Sequence, residues 1–353
     1  MNDLGGQQAS PWMDAQSLLI LVATLAPWVW MVRRLVARRP ILPYQPRRPV
    51  PWGGLDVALV VVFWLGAILA VSELGGRLLD RWAESRFAQR FWIGAMSADP
   101  SPWMLASGVP GVAAPAVTMV APANSAGHLV PWLFDGWIEL QHPVVVVLSS
   151  DPSFLTLAVC LLIGVVVAPI TEEFVFRLLF QGWLEAVERR LRRRIPPLRR
   201  VLLGMPSVLI SSIVFALMHW REAMTPNPTH YFLGLISGGA ASLLMVGFAI
   251  ALVRIRVGAS AVDLGLVPAK IGRDVVIGLV AALAVVPPIC WLQVLVQTYL
   301  MPEHVAGDPI ALALFAAVLG TLYARTHRIV PAVTLHMALN LSSLAMAWFS
   351  VGM

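Results

Sequence analysis

Residues 153–187 read SFLTLAVCLLIGVVVAPITEEFVFRLLFQGWLEAV. The run exceeds the roughly 20 apolar residues a helix needs to cross a bilayer, and it does not stop at its polar residues. Glu172, Glu173 and Arg177 lie inside it. Each costs on the order of 2.5–3.5 kcal/mol at mid-helix in lipid, so something must compensate for them. Glu173 and Arg177 stand four apart with the acid first, the favourable order for an ion pair on one helix face. Glu172 points about 100° away from Glu173 and is left to face a polar cavity. Pro169 predicts a kink or a restarted helix with Thr171 near its N-cap.

Working outward, seven further runs approach membrane length: 17–32, 54–73, 202–220, 231–253, 274–299, 309–324 and 329–349. The fold class is therefore an all-α, polytopic transmembrane helix bundle of about eight spans. The composition agrees: 58% of residues are hydrophobic, 12% are charged, and the mean hydropathy is +0.78. A net charge of +6 invites a nucleic-acid reading, but the Arg residues sit between apolar runs, so no nucleic-acid partner is expected. With the N-terminus outside, the inside loops hold 19 Lys and Arg against 5 outside, Arg177 being left out, as the positive-inside rule requires. The partners expected on this basis are membrane lipids, with Arg33, Arg34, Arg38 and Arg39 contacting anionic headgroups. Cys160 and Cys290 fall in apolar runs and read as small core residues. Residues 1–16 lack the positive start of a cleavable signal peptide, so the first span is expected to be retained.

Residues 1–152 are expected to hold two spans and one long external loop. That loop, 74–152, reads as irregular, with an interfacial anchor at Trp132, Phe134 and Trp137. Residues 153–353 form the core. In its sixth span Pro287-Pro288 predicts a broken helix.

Two further strings carry chemistry. Phe215-Ala-Leu-Met-His219 sets a ring and an imidazole on one face, and His336-Met-Ala-Leu-Asn340 sets an imidazole beside a carboxamide. Taken singly, each is ordinarily a packing histidine or an inter-helix clasp. One spare carboxylate, two imidazoles and an amide together make a hydrolytic site. His128, His142, His230, His304 and His327 lie in loops or at span ends and are given no role.

Glu172-Glu173-x-x-x-Arg177, Phe215-x-x-x-His219 and His336-x-x-x-Asn340, in this order, resemble the three motifs of the CAAX prenyl endopeptidase and bacteriocin-processing (CPBP, Abi) family of intramembrane proteases. Ala168-Pro-Ile-Thr-Glu-Glu173 and Tyr323-Ala-Arg-Thr-His-Arg-Ile-Val-Pro331 resemble bacterial members, which implies an integral protein of a bacterial cytoplasmic membrane. The resemblance is specific over 153–222 and 309–349. It departs from the family at about 223–308, where two further spans stand as an atypical insertion or a permutation and Asp263-Leu-Gly-Leu266 resembles a segment usually found upstream.

The resemblance implies an endopeptidase acting on a membrane-associated, prenylated or leader peptide. Glu172 would take a proton from water, with His219 assisting, while His336 and Asn340 stabilise the oxyanion. Glu173, Arg177 and Phe215 support them. No cofactor or metal is required; in a metalloprotease alternative Glu172, His219 and His336 would hold zinc. A transporter-like protein or a non-catalytic scaffold on the same bundle are the other classes. The depths do not close for straight helices. Counted from the basic ends, Glu172 lies about 17 residues from Arg189 and His336 about 8 from Arg328, a mismatch above roughly 10 Å.

Overall fold

Long apolar runs with few internal polar groups leave the backbone no partner but itself, and all nine elements described below are helical, apart from one short 3-10 turn. The computed structural model describes residues 11–46, 49–83, 143–195, 203–219, 228–299 and 309–351. These form α1 (Pro11–Val36), α2 (Gly54–Ala83), α3 (Pro143–Ser150), a continuous α4 (Phe154–Arg194), α5 (Met205–Met218), α6 (Pro228–Val257), α7 (Ile271–Tyr299), α8 (Pro309–Thr326) and α9 (Val330–Val351). The protein is a polytopic helix bundle. Among the described residues, six stretches are long and apolar enough to cross a membrane: Gly54–Gly75, Phe154–Arg194, Tyr231–Val257, Pro268–Val296, Pro309–Thr326 and Val330–Phe349.

The expected span 202–220 is shortened to α5, which has 14 residues. Gly204, with φ of +83°, sets its start, and the Glu188 carboxylate accepts from Gly204 N and Ser207 Oγ there. At 1.5 Å per residue α5 reaches only about 21 Å, so it ends inside the depth of its neighbours. The loop expected over 74–152 is helical at both margins, in α2 and α3. Its remainder, with Trp132, Phe134 and Trp137, lies outside the described residues.

α2 packs on α6, α5 on α8, and α7 on α9. The two spans expected as an insertion thus line the bundle on either side of the core helices. The α7–α9 crossing is close because Gly278 has no side chain: a Cβ there would stand 2.5 Å from Thr334 Cβ. A buried ion pair ties α7 to the turn that leads into α9, with Arg328 Nε donating to Asp274 Oδ1 and Oδ2 at 2.7 and 2.6 Å.

The basic loops gather at one end. A strap over 41–46 and 49–53 is held there by Gln45 N donating to Arg325 O, by the Arg328 to Gln45 hydrogen bond, and by Trp52 Nε1 donating to Leu179 O at 3.2 Å. Ile329 N donates to Gly265 O in the same layer. The turn carrying Arg328 is therefore roofed over, and Arg328 is 2% exposed.

Both expected helix breaks are corrected. α7 runs unbroken through Pro287 and Pro288. Pro288 lacks the N–H that would bond Ala284 O, and Trp28 Nε1 on α1 donates to that carbonyl at 3.0 Å instead. α4 likewise continues through Pro169, and Thr171 is no N-cap: its hydroxyl donates back to Val167 O at 2.8 Å. Two π-helical stretches, Leu161–Val167 and Phe174–Gln181, absorb the distortion.

Candidate active site

Glu172 and Glu173 end the short α-helical stretch between the two π-helical ones on α4. Glu173 is fully buried and works in two directions. Its Oε2 accepts from Arg177 Nε at 3.2 Å, and its Oε1 accepts from His336 Nδ1 at 3.0 Å. The ion pair expected from the spacing forms, and it also orients an imidazole on α9. Arg177 Nη1 donates to Ser211 Oγ at 3.0 Å, and Ser211 in turn donates to Phe176 O. The guanidinium lies 5.4 Å from the Phe215 ring centre.

His219 is the C-cap of α5, so the short helix delivers it at its end. Its ring stacks on Phe215 with centres 4.3 Å apart, and its Nδ1 donates to Phe215 O at 2.8 Å. His219 Nε2 then lies 3.5 Å from Glu172 Oε2, and His336 Nε2 lies 3.7 Å from the same oxygen.

The partners fix the proton positions. A carbonyl only accepts, so His219 carries its proton on Nδ1; the Arg177-paired Glu173 only accepts, so His336 does likewise. In neutral rings both Nε2 atoms therefore present lone pairs toward Glu172 Oε2. Three acceptors around one point call for a proton donor or a cation between them. The side chains of Glu172 and His219 are 22% and 31% exposed, against 6% for His336, so this point is open on the Glu172–His219 side.

Asn340 sits one turn beyond His336, and its Nδ2 donates to Gly164 O at 2.8 Å. In this π-helical stretch Ala168 N bonds Ile163 O, five residues back. The next such donor would be residue 169, a proline with no N–H, and Asn340 supplies the missing bond. An amide nitrogen has two hydrogens, so one remains for other work.

The structure thus brings Glu172, Glu173, Arg177, Phe215, His219 and His336 into one cluster, with Asn340 at its margin. Sequence reasoning passed over Ser211 and Phe315. Ser211 lies four residues before Phe215 and eight before His219, on their face, a findable signal. Phe315, whose ring is edge-on to His336 at 5.5 Å, carried none. The depth mismatch closes for two reasons. Arg328 lies beneath the strap and not at the surface, and a π turn holds more residues per turn, which shortens α4. Among the described residues no group of three or more His, Cys, Asp and Glu is arranged as a metal site, and Glu172, His219 and His336 come nearest.

The family model of type II CAAX prenyl endopeptidase, Rce1-like, matches residues 154–263. Over this segment the chain is similar to that family. The Rce1-like region covers α4, α5 and α6 and contains Glu172, Glu173, Arg177, Phe215 and His219; His336 and Asn340 lie beyond it. No curated protein and no solved structure matches the chain.

Proposed function

We propose that this protein hydrolyses a peptide bond of a membrane-associated, prenylated or leader peptide with a water activated by Glu172. The observation that carries this reading is the convergence of His219 Nε2 and His336 Nε2 on Glu172 Oε2, at 3.5 and 3.7 Å. A water at that point donates to two of the three acceptors, and a proton on one imidazole satisfies the third. Glu172 takes the proton of the water as its oxygen attacks the scissile carbonyl, and His219 Nε2 takes that proton from Glu172 and passes it to the departing amine, which returns both groups to their starting state. His336, aimed by Glu173, and the second amide hydrogen of Asn340 stabilise the oxyanion. Arg177, Ser211 and Phe215 keep Glu173 and His219 in place. We assign the protein to a bacterial cytoplasmic membrane with its basic end inside.

The metal-dependent alternative uses Glu172, His219 and His336 as zinc ligands with Glu173 behind His336, an arrangement seen around many zinc-bound imidazoles. One experiment separates the readings. Membrane fractions from cells carrying wild-type protein or Glu172→Gln are compared by proteomics for C-terminal and internal cleavage products, and cleavage by purified protein is followed with and without a chelator. Products that vanish in Glu172→Gln and persist under chelation are expected. Loss of activity on chelation, restored by zinc, transfers the reading to the metalloprotease; identical product sets remove the protease.

A further inference from the structure

Hydrolysis consumes one water for each bond cut, and this site lies at membrane depth among apolar helices. On α4 the polar residues Glu173, Arg177, Gln181 and Glu185 recur at intervals of four. Four residues overrun an α turn and fall short of a π turn, so the mixed helix keeps all of them on one face. All four are buried, three of them at 0% exposure.

This stripe continues from the site to the basic end. Gln181 Nε2 donates to Glu185 Oε1 at 3.2 Å and to Gly320 O at 2.9 Å. Glu185 Oε2 lies 3.7 Å from His327 Nδ1. Two small clefts open beside it under the strap, both lined by Glu185 and Arg189, one reaching Tyr44 and the other Tyr323 and His327. Inward, Arg177 Nη1 and Gln181 Oε1 lie 3.5 and 2.9 Å from the point a Gly320 Cβ would occupy, so they flank the same stretch of backbone. Arg177 Nη2 and Gln181 Oε1 are buried with no protein partner. One is a donor and the other an acceptor, successive members of the stripe, and a buried polar atom of this kind is ordinarily satisfied by water.

We propose that the column Glu185–Gln181–Arg177 is the route by which water reaches Glu172 from the basic end of the bundle. The proposal rests on the hydrolytic reading above, with Gln181 as a positioning residue for water. Gly320 belongs to it because any side chain there would meet Gln181 Oε1.

Radiolytic hydroxyl-radical labelling of the full-length protein in lipid nanodiscs tests the route without any substrate. Tyr323 and Phe215, at the two ends, are expected to be oxidised, while the fully buried and intrinsically more reactive Met245 is not. In Gln181→Leu, labelling of Phe215 is expected to fall at least threefold while Tyr323 keeps its label. In cleavage assays the same variant is expected to lower kcat about tenfold with KM unchanged, and Gln181→Glu to recover most of the loss. Wild-type Phe215 labelled no more than Met245, or Phe215 labelling unchanged by Gln181→Leu, overturns the route. Wild-type protein that is labelled as expected but cleaves nothing refutes the hydrolytic reading instead.

Discussion

Glu173 is fully buried between a guanidinium and an imidazole, and changing it to Gln separates the electrostatic part of its role from its shape. In Glu173→Gln the amide oxygen still accepts from His336 Nδ1, but Arg177 keeps its charge at 0% exposure without its paired carboxylate, beside Ser211 Oγ and the Phe215 ring. Breaking a buried pair from one side costs about 3–5 kcal/mol, because the remaining charge is uncompensated. Arg177→Met is expected to cost less, since the Glu173 carboxylate keeps the hydrogen bond from His336 Nδ1. The double variant Glu173→Gln/Arg177→Met carries no buried charge at this position, and Ser211 retains its bond to Phe176 O. It should lie within about 2 kcal/mol of wild type, so the coupling energy in the cycle should exceed about 1 kcal/mol. Reversible unfolding in mixed micelles, followed by circular dichroism, measures all four corners. A single Glu173→Gln variant no less stable than the double, or a coupling under about 0.5 kcal/mol, refutes the claim that the pair is held out of bulk solvent.

Trp28→Phe keeps the ring and removes the N–H that Ala284 O accepts, so it should destabilise the protein by about 1 kcal/mol, read by the same unfolding assay. Gly278→Ala places a carbon 2.5 Å from Thr334 Cβ and should cost about 1–3 kcal/mol as α7 and α9 are forced apart. Phe215→Leu removes the ring stacked on His219 and should lower kcat more than it lowers the unfolding midpoint, which parallel kinetics and unfolding of one preparation will show.

The bundle was legible because lipid leaves long apolar runs few structural options, and the motif residues because charged groups at membrane depth demand a reason. Spacing alone placed Glu173 with Arg177 and His219 with Phe215, since four-residue intervals act within one helix. What spacing does not carry is contact between helices. The Asp274–Arg328 pair joins residues far apart in the chain, one of which reads alone as the edge of a span and the other as a loop charge. The strap over Arg328 is invisible for the same reason, and counting depth from Arg328 consequently misplaced His336. α5 was drawn too long because hydropathy continues past Gly204, whereas the backbone does not.

The two prolines show how such long-range features arise from local ones. Pro169 and Pro288 each deprive a carbonyl of its helical donor where no water competes, and in each case another helix provides one: Asn340 for Gly164 O, Trp28 for Ala284 O. A proline within a span is thus a docking point as much as a defect. On α7 the consequence is structural, since it seats α1. On α4 it reaches the chemistry, because the helix that answers Pro169 is the one bearing His336. The bond to Gly164 O sets the rotation of α9 about its axis, and this rotation aims His336 Nδ1 at Glu173 and its Nε2 at Glu172. Asn340 therefore positions the imidazole through the backbone of α4 whether or not its second hydrogen meets the oxyanion.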